Sequence, residues 1–237
     1  MFGKRLINTG GVSGGLPNIY GAYAYYQLNE NTNDSSGNGY NGTETSITYV
    51  TSKQTDFETA ASFNGSSSAI NTTLTPTVAN LRSVSLWFKC GSQSSFGTLF
   101  SVSSYGSSLN YSWAVCLILS DGTIYAGYGA ANGGTSCIIT STASYDDNNW
   151  HNLIITFNGI YGVGSDVKLY MDNVEITTTP DRLNEGSVAT IQGTFRLGHI
   201  RLQSPVSNVN ILDGLIDQVR VYDFEIDSTI RTALYNE

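Results

Sequence analysis

Apolar and polar residues alternate in short runs along this chain, and most runs end in Gly, Asn, Asp or Ser. The clearest run is Ser83–Lys89, with Val84, Leu86 and Phe88 on one face and Ser83, Ser85, Trp87 and Lys89 on the other. A period of two marks a strand that turns one face to a core. Strand-length runs are also predicted over Ala22–Leu28, Ile47–Val50, Ala60–Phe63, Ala69–Ile70, Thr98–Ser101, Trp113–Leu119 and Thr123–Tyr128. Others follow over Trp150–Phe157, Val167–Ile176, Thr194–Leu197 and Leu215–Tyr222. Ser120-Asp121-Gly122 and Asp172-Asn173 read as tight hairpin turns, because these residue types tolerate positive φ. Ile226–Asn236 suits a short helix, with Asp227 or Ser228 as its N-cap. No repeat and no linker divides the rest. The pattern predicts one β-sandwich over residues 19–237, behind a glycine-rich arm at residues 1–18.

Composition narrows what such a sandwich can meet. Eleven Lys and Arg stand against 19 Asp and Glu, a net charge of −8, and no basic run exists to neutralise phosphates. A nucleic-acid partner is therefore not expected. Cys90, Cys116 and Cys137 are odd in number and irregular in spacing, which fits buried thiols better than a disulfide framework. Lys4 and Arg5 are not followed by the apolar stretch of a secretory signal, and no run is long enough to span a membrane. The chain is expected to be made in a cytoplasm and to reach the outside, if it does, by release within a particle.

Four blocks in order carry a resemblance. They are Asn33-Asp-Ser-Ser-Gly-Asn-Gly-Tyr-Asn-Gly42, Ser83-Val-Ser-Leu-Trp-Phe88, Asn149-Trp-His-Asn-Leu-Ile-Ile-Thr-Phe-Asn-Gly159 with Lys168-Leu-Tyr-Met-Asp-Asn-Val174, and Gly214-Leu-Ile-Asp-Gln-Val-Arg-Val-Tyr222. From Ala22 to Tyr235 the chain resembles the LamG-like branch of the concanavalin A-like lectin–glucanase superfamily. The resemblance implies an all-β, concanavalin A-like jelly-roll sandwich with a short C-terminal helix. It also implies a structural calcium ion held by Asp34 and Asp217, with carbonyl oxygens of the Asn38–Tyr40 turn completing the shell. Calcium takes six to eight such oxygens at about 2.3–2.6 Å. The residues alone allow a second reading, in which Asp34 bonds neighbouring amides in an Asx turn.

Glucanases on this scaffold set two carboxylates two residues apart on one strand, facing a cleft. The nearest imitation, Asp223-Phe-Glu225-Ile-Asp227, stands at the entry to the predicted helix, where carboxylates favour the dipole. His151 and His199 lack the partners of a catalytic base or a metal site, and no Gly-x-Ser-x-Gly elbow occurs. The expected protein is no enzyme.

A sugar-binding jelly roll uses exposed aromatics beside polar loops. Tyr105, Tyr111, Trp113, Tyr128 and Tyr161 are the candidates. The arm, Met1-Phe-Gly-Lys-Arg-Leu-Ile-Asn-Thr-Gly-Gly11, is similar to the starts of small virion proteins of marine tailed phages. That resemblance implies a bacteriophage structural protein, a capsid decoration, head fibre or tail appendage. Phe2, Lys4, Arg5, Leu6 and Ile7 would then dock onto neighbouring subunits of a homo-oligomer, with adhesion to cell-surface glycans as a second role. The alternative is a free or bacterial carbohydrate-binding lectin module.

Overall fold

A computed structural model describes residues 21–53, 57–77, 81–103, 112–130, 136–157, 167–184, 193–203 and 206–237. Its first strands are β1 (Ala24–Tyr26), β2 (Gly42–Thr45), β3 (Thr48–Thr51), β4 (Thr59–Asn64), β5 (Ala69–Thr72) and β6 (Ser83–Cys90). Next come β7 (Gly97–Ser103), β8 (Ser112–Ile118), β9 (Thr123–Ala130), β10 (Ser136–Ser144), β11 (His151–Phe157) and β12 (Val167–Met171). The last are β13 (Val174–Glu175), β14 (Thr178–Asn184), β15 (Thr194–Leu197), β16 (Ile200–Gln203), β17 (Val206–Val209) and β18 (Asp213–Tyr222), ahead of helix α1 (Ser228–Tyr235).

Two antiparallel sheets carry nearly all of these strands. One has the order β13-β12-β11-β6-β18-β4-β3, with β1 also paired to β18. The other runs β14-β10-β9-β8-β7-β15-β5-β2, and β16–β17 forms a separate hairpin. This is the expected jelly-roll sandwich, with strands distant in sequence lying side by side. Between the sheets lies the main core, where Val84, Leu86 and Phe88 of β6 meet Phe100, Phe195 and Leu197 of the opposite layer. The period of two in β6 is thus realised as read from the sequence. Phe195 stacks between Phe100 and Tyr26, at centroid distances of 5.5 and 6.4 Å. Burying each such ring stabilises the fold by roughly 1.5–3 kcal/mol.

The outer face of the first sheet would be wet in a plain sandwich, yet here α1 covers it. Asp227 caps the helix, accepting from the amides of Thr229 and Ile230 at 2.9 and 3.0 Å. Ile230 and Leu234, one turn apart, then pack with Ile226 on Tyr25, Ile154, Tyr170 and Tyr222. β18 is bent beneath this helix by a bulge. Its register against β6 slips between Asp217 and Arg220, and Gln218 sits at a φ of 49°. Ahead of the bulge β18 pairs with β4, and beyond it with β1.

The two expected turns are present. Asp172 and Asn173 both take positive φ, 52° and 67°, between Met171 and Val174. Gly122 does so at 80° between β8 and β9.

Candidate functional site

Three connections meet beside the start of β18: the loop after β4, the segment 91–96 between β6 and β7, and the segment 210–212 after β17. Leu212 anchors them. Its side chain is fully buried, its amide donates to Gly198 O at 2.9 Å, and its carbonyl accepts from Gly65 N at 2.9 Å. Gln93, almost buried, ties the second segment down. Its Nε2 donates to the carbonyls of Gly91 and Asp213 at 2.8 and 2.9 Å, while its Oε1 accepts from Asp213 N at 3.0 Å. Thr98 donates to Asn210 O from both its amide, at 2.9 Å, and its hydroxyl, at 2.6 Å. A Cβ at Gly97 would fall 2.7 Å from Gln93 Oε1 and 3.0 Å from Leu212, so a larger residue there would press on both side chains.

These ties hold two clefts open on either side of Asp213. The larger, about 490 Å³, is lined by Asn64, Gln93, Phe96, Asn208, Ile211 and Asp213 among others. The smaller, about 270 Å³, involves Lys89, Cys90, Ser92, Asn148 and Asp213. Phe96 leaves 44% of its surface exposed, an unusual state for a phenyl ring on a rigid loop. The Asp213 carboxylate is exposed and takes part in no hydrogen bond or ion pair among the described residues, its backbone alone being engaged by Gln93. An aromatic face, an unengaged carboxylate and several amides and hydroxyls thus converge on one pre-formed hollow.

Asp217, four residues along the same strand, has the opposite environment. It is fully buried and accepts from the Ser52 hydroxyl and from Gln218 N, the latter at 2.8 Å. Burial, chiefly, pushes its carboxyl up to about 8, against the lowering effect of those bonds, so it is held protonated at neutral pH. Arg220 beside it is 1% exposed and pairs with Glu237 at 2.9 Å, while also donating to Tyr25 Oη at 2.9 Å. The Tyr25 hydroxyl donates in turn to the Gln218 side chain. Lys53 closes the edge of this layer, its ammonium 3.3 Å from the centroid of the Trp87 ring, which stacks on Tyr235.

Asp34 serves a third, separate purpose. Its Oδ1 accepts from the amides of Tyr25 and Ser36 at 3.0 and 2.8 Å, and its Oδ2 from Ser36 Oγ and Tyr40 N at 2.8 and 3.0 Å. The Tyr40 carbonyl accepts the Tyr26 hydroxyl at 2.8 Å, and the Asn38 side chain donates to Tyr23 O. This is the Asx-turn arrangement that the residues alone allowed, and the Asp34 carboxylate is occupied by these four donors.

The aromatic candidates fare unevenly. Tyr128 is corrected: Ile124, Ala126 and Tyr128 form the inward face of β9, and Tyr128 packs at 6.1 Å against Phe157 with 1% exposure. Tyr105, Tyr111 and Tyr161 lie outside the described residues, as do the side chain of Trp113 and the arm residues Phe2, Lys4, Arg5, Leu6 and Ile7. Phe96, Gln93 and Asp213 were not singled out from the sequence. The one available signal was a lone phenylalanine in the otherwise polar stretch Gly91-Ser-Gln-Ser-Ser-Phe-Gly97.

His151, for which the sequence suggested no partners, is packed and hydrogen-bonded to two aspartates. Its Nδ1 lies 2.8 Å from Asp172 and its Nε2 3.2 Å from Asp147, and the Asp172 bond foremost raises its pKa. His199 is fully buried, and burial lowers it to about 4. The three cysteines are buried and in no disulfide. Cys90, at the wall of the smaller cleft, is pushed up to about 12 by burial and then by the carboxylates of Asp146, Asp147 and Asp213.

Fold and site together define a two-sheet jelly roll with a rigid polar hollow formed by its connecting loops. The sequence profile of the Concanavalin A-like lectin/glucanases superfamily matches residues 63–229, and the chain belongs to that superfamily. No curated protein sequence matches it. Among solved structures it is similar to the CBM40 of a Ruminococcus gnavus IT-sialidase, at 14% identity and a TM-score of 0.52, over 66% of this chain and 83% of that one. It is also similar to the binding domain of botulinum neurotoxin DC in complex with SialylT, at 17% identity and a TM-score of 0.61. That alignment covers 92% of this chain but 51% of the neurotoxin domain, so the chain spans about half the length of that relative. A third similar structure is a heptameric SAP-like pentraxin from Limulus polyphemus, at 17% identity and a TM-score of 0.52, over 73% of this chain and 80% of that one. Likeness at such identities is a likeness of fold.

Proposed function

We propose that this domain is a carbohydrate-binding, lectin-like module that acts without catalysis, and that the clefts flanking Asp213 hold the sugar. One observation carries the reading: Phe96 stands exposed on a loop locked by Gln93, facing a hollow that also contains an unengaged carboxylate. The flat, C–H-rich face of a pyranose suits an aromatic ring, and its hydroxyls suit a carboxylate and amide groups. Two of the similar structures support this direction, since the R. gnavus CBM40 is also found bound to α2,3-sialyllactose and the neurotoxin domain is found with SialylT. A virion role rests on the arm at residues 1–18 and gains no support from these similarities. It bears on where the domain is displayed rather than on what the cleft does.

Titration against a glycan array tests the proposal. Phe96→Ala is expected to weaken binding at least about tenfold, equivalent to about 1.4 kcal/mol. It should leave the melting temperature nearly unchanged, because the ring is half in solvent already. An array with no bound glycan, or binding indifferent to Phe96, would remove the reading.

A further inference from the structure

The geometry points to a charge filter in the larger cleft: it takes a pyranose that offers hydroxyl or ammonium donors and carries no carboxylate, so acidic glycans are turned away. This rests on the carbohydrate reading above and specifies the ligand class of the same site. Asp213 is the single charged residue lining that cleft, and its carboxylate is free to accept. Three of the other polar side chains are at least partly committed. Gln93 uses both ends of its amide within the loop. Asn64 Oδ1 accepts from the amides of Ser66, Ser67 and Ser68. Asn208 Oδ1 accepts from Arg201 at 3.4 Å, which engages both the amide oxygen and this neighbouring guanidinium.

Beside Phe96 and the neutral side chains of Ser94, Ser95 and Asn210, the one charged group lining the cleft that remains to meet a ligand is an anionic acceptor. Such an acceptor binds a vicinal diol or an ammonium group well, and repels a second carboxylate placed against it. The adjoining cleft reinforces the sign. Asp146, Asp147 and Asp213 all act on Cys90 at its wall, and Lys89 is its one lining cation. The chain as a whole, at −8, points the same way.

A set of matched oligosaccharides with a common core, ending in glucosamine with a free amine, in a neutral hexose, or in sialic acid, tests the filter on the full chain by calorimetry. The amine and neutral members are expected to bind at least tenfold tighter than the sialylated one. Asp213→Asn should reduce that gap to below threefold and weaken the amine ligand about tenfold. Raising sodium chloride from about 50 to 500 mM should weaken the amine ligand of the unaltered chain selectively, a readout that needs no variant to fold. Equal or tighter binding of the sialylated member overturns the filter and leaves the carbohydrate reading intact. So does a preference that Asp213→Asn does not change. Failure of all three sugars to bind overturns both.

Discussion

Asp213 and Asp217 lie on one strand, four residues apart, yet they live in different solvents. Asp213 opens β18 in water, with Gln93 holding its backbone and, among the described residues, no group bonded to its carboxylate. Asp217 lies under α1, bonded to Ser52 and Gln218 and kept neutral by burial. An aspartate contributes a charge only where water or a cation supports it. Away from such support it becomes a hydrogen-bonding group of the interior. The division of labour along β18 therefore comes from the helix that covers one half of the strand and leaves the other open.

The severest break of this contrast is on the covered side. Arg220→Ala strands the buried Glu237 carboxylate and removes the partner of Tyr25, and is expected to cost about 3–5 kcal/mol. Urea unfolding should show a lower midpoint at constant slope, while glycan binding by the surviving folded fraction stays as it was. If the variant bound sugar less well at full stability, the two halves of the strand would not be independent.

Next in size is the pH dependence that Asp217 confers. Below its ordinary value of 3.8 the carboxyl is protonated in both folded and unfolded chains. Between there and about 8 the unfolded chain ionises while the folded one keeps its proton, so stability falls as pH rises, by up to about 1.4 kcal/mol per unit. Asp217→Asn should flatten this slope in the window from pH 4 to 8, and Asp213→Asn should not. A slope unchanged in Asp217→Asn would mean that the interior tolerates the charge.

His151 gives a smaller effect of the same sign. Asp172 raises its folded-state pKa above 6.5, so its contribution is complete below pH 6.5 and is lost as pH climbs through the raised value. The carboxylates are partly exposed, at 34% for Asp172 and 52% for Asp147, which limits the gain to about 1 kcal/mol or less. His151→Gln should abolish that increment in melting curves taken at pH 5.5 and leave those at pH 9 alone.

The smallest expected effect is that of calcium. Both oxygens of Asp34 are engaged by four internal donors, and Asp217 is fully buried. Millimolar calcium or a chelator is expected to move the melting temperature by less than about 1 °C. A rise of several degrees would restore the ion to the Asn33–Gly42 loop.

Where alternation was strong, the sequence was enough. β6, β18 and the Asp172-Asn173 hairpin all appear where the pattern puts them, because the face turned to the other sheet takes every second residue and a tight turn demands residues that accept positive φ. β10 and β14 did not announce themselves. Ser136-Cys-Ile-Ile-Thr-Ser-Thr-Ala-Ser144 mixes small polar residues with an apolar pair, and Pro180 interrupts the other run, where the pairing also slips at Ile138 and Ile139. Tyr128 was misplaced because an aromatic beside polar and glycine-rich sequence reads as exposed, although Ile124 and Ala126 on the same face already pointed inward. The cleft was illegible for a different reason. Gln93 and Asp213 are 120 positions apart, and only the pairing of β6 with β18 sets them face to face.

The bulge in β18 has a consequence for how this strand is encoded. Ile216, Val219 and Val221 all point into the core, a spacing of three and then two, so Gln218 is a surplus letter in an otherwise regular code. Deleting it would leave each apolar residue of the strand on the same side as before. What would vanish is the kink, and with it the side chain that joins the Tyr25 hydroxyl to the carbonyl of Gln27. The hydrophobic message and the curvature of β18 are therefore written in separate residues, and a chain shorter by one would keep the first while losing the second.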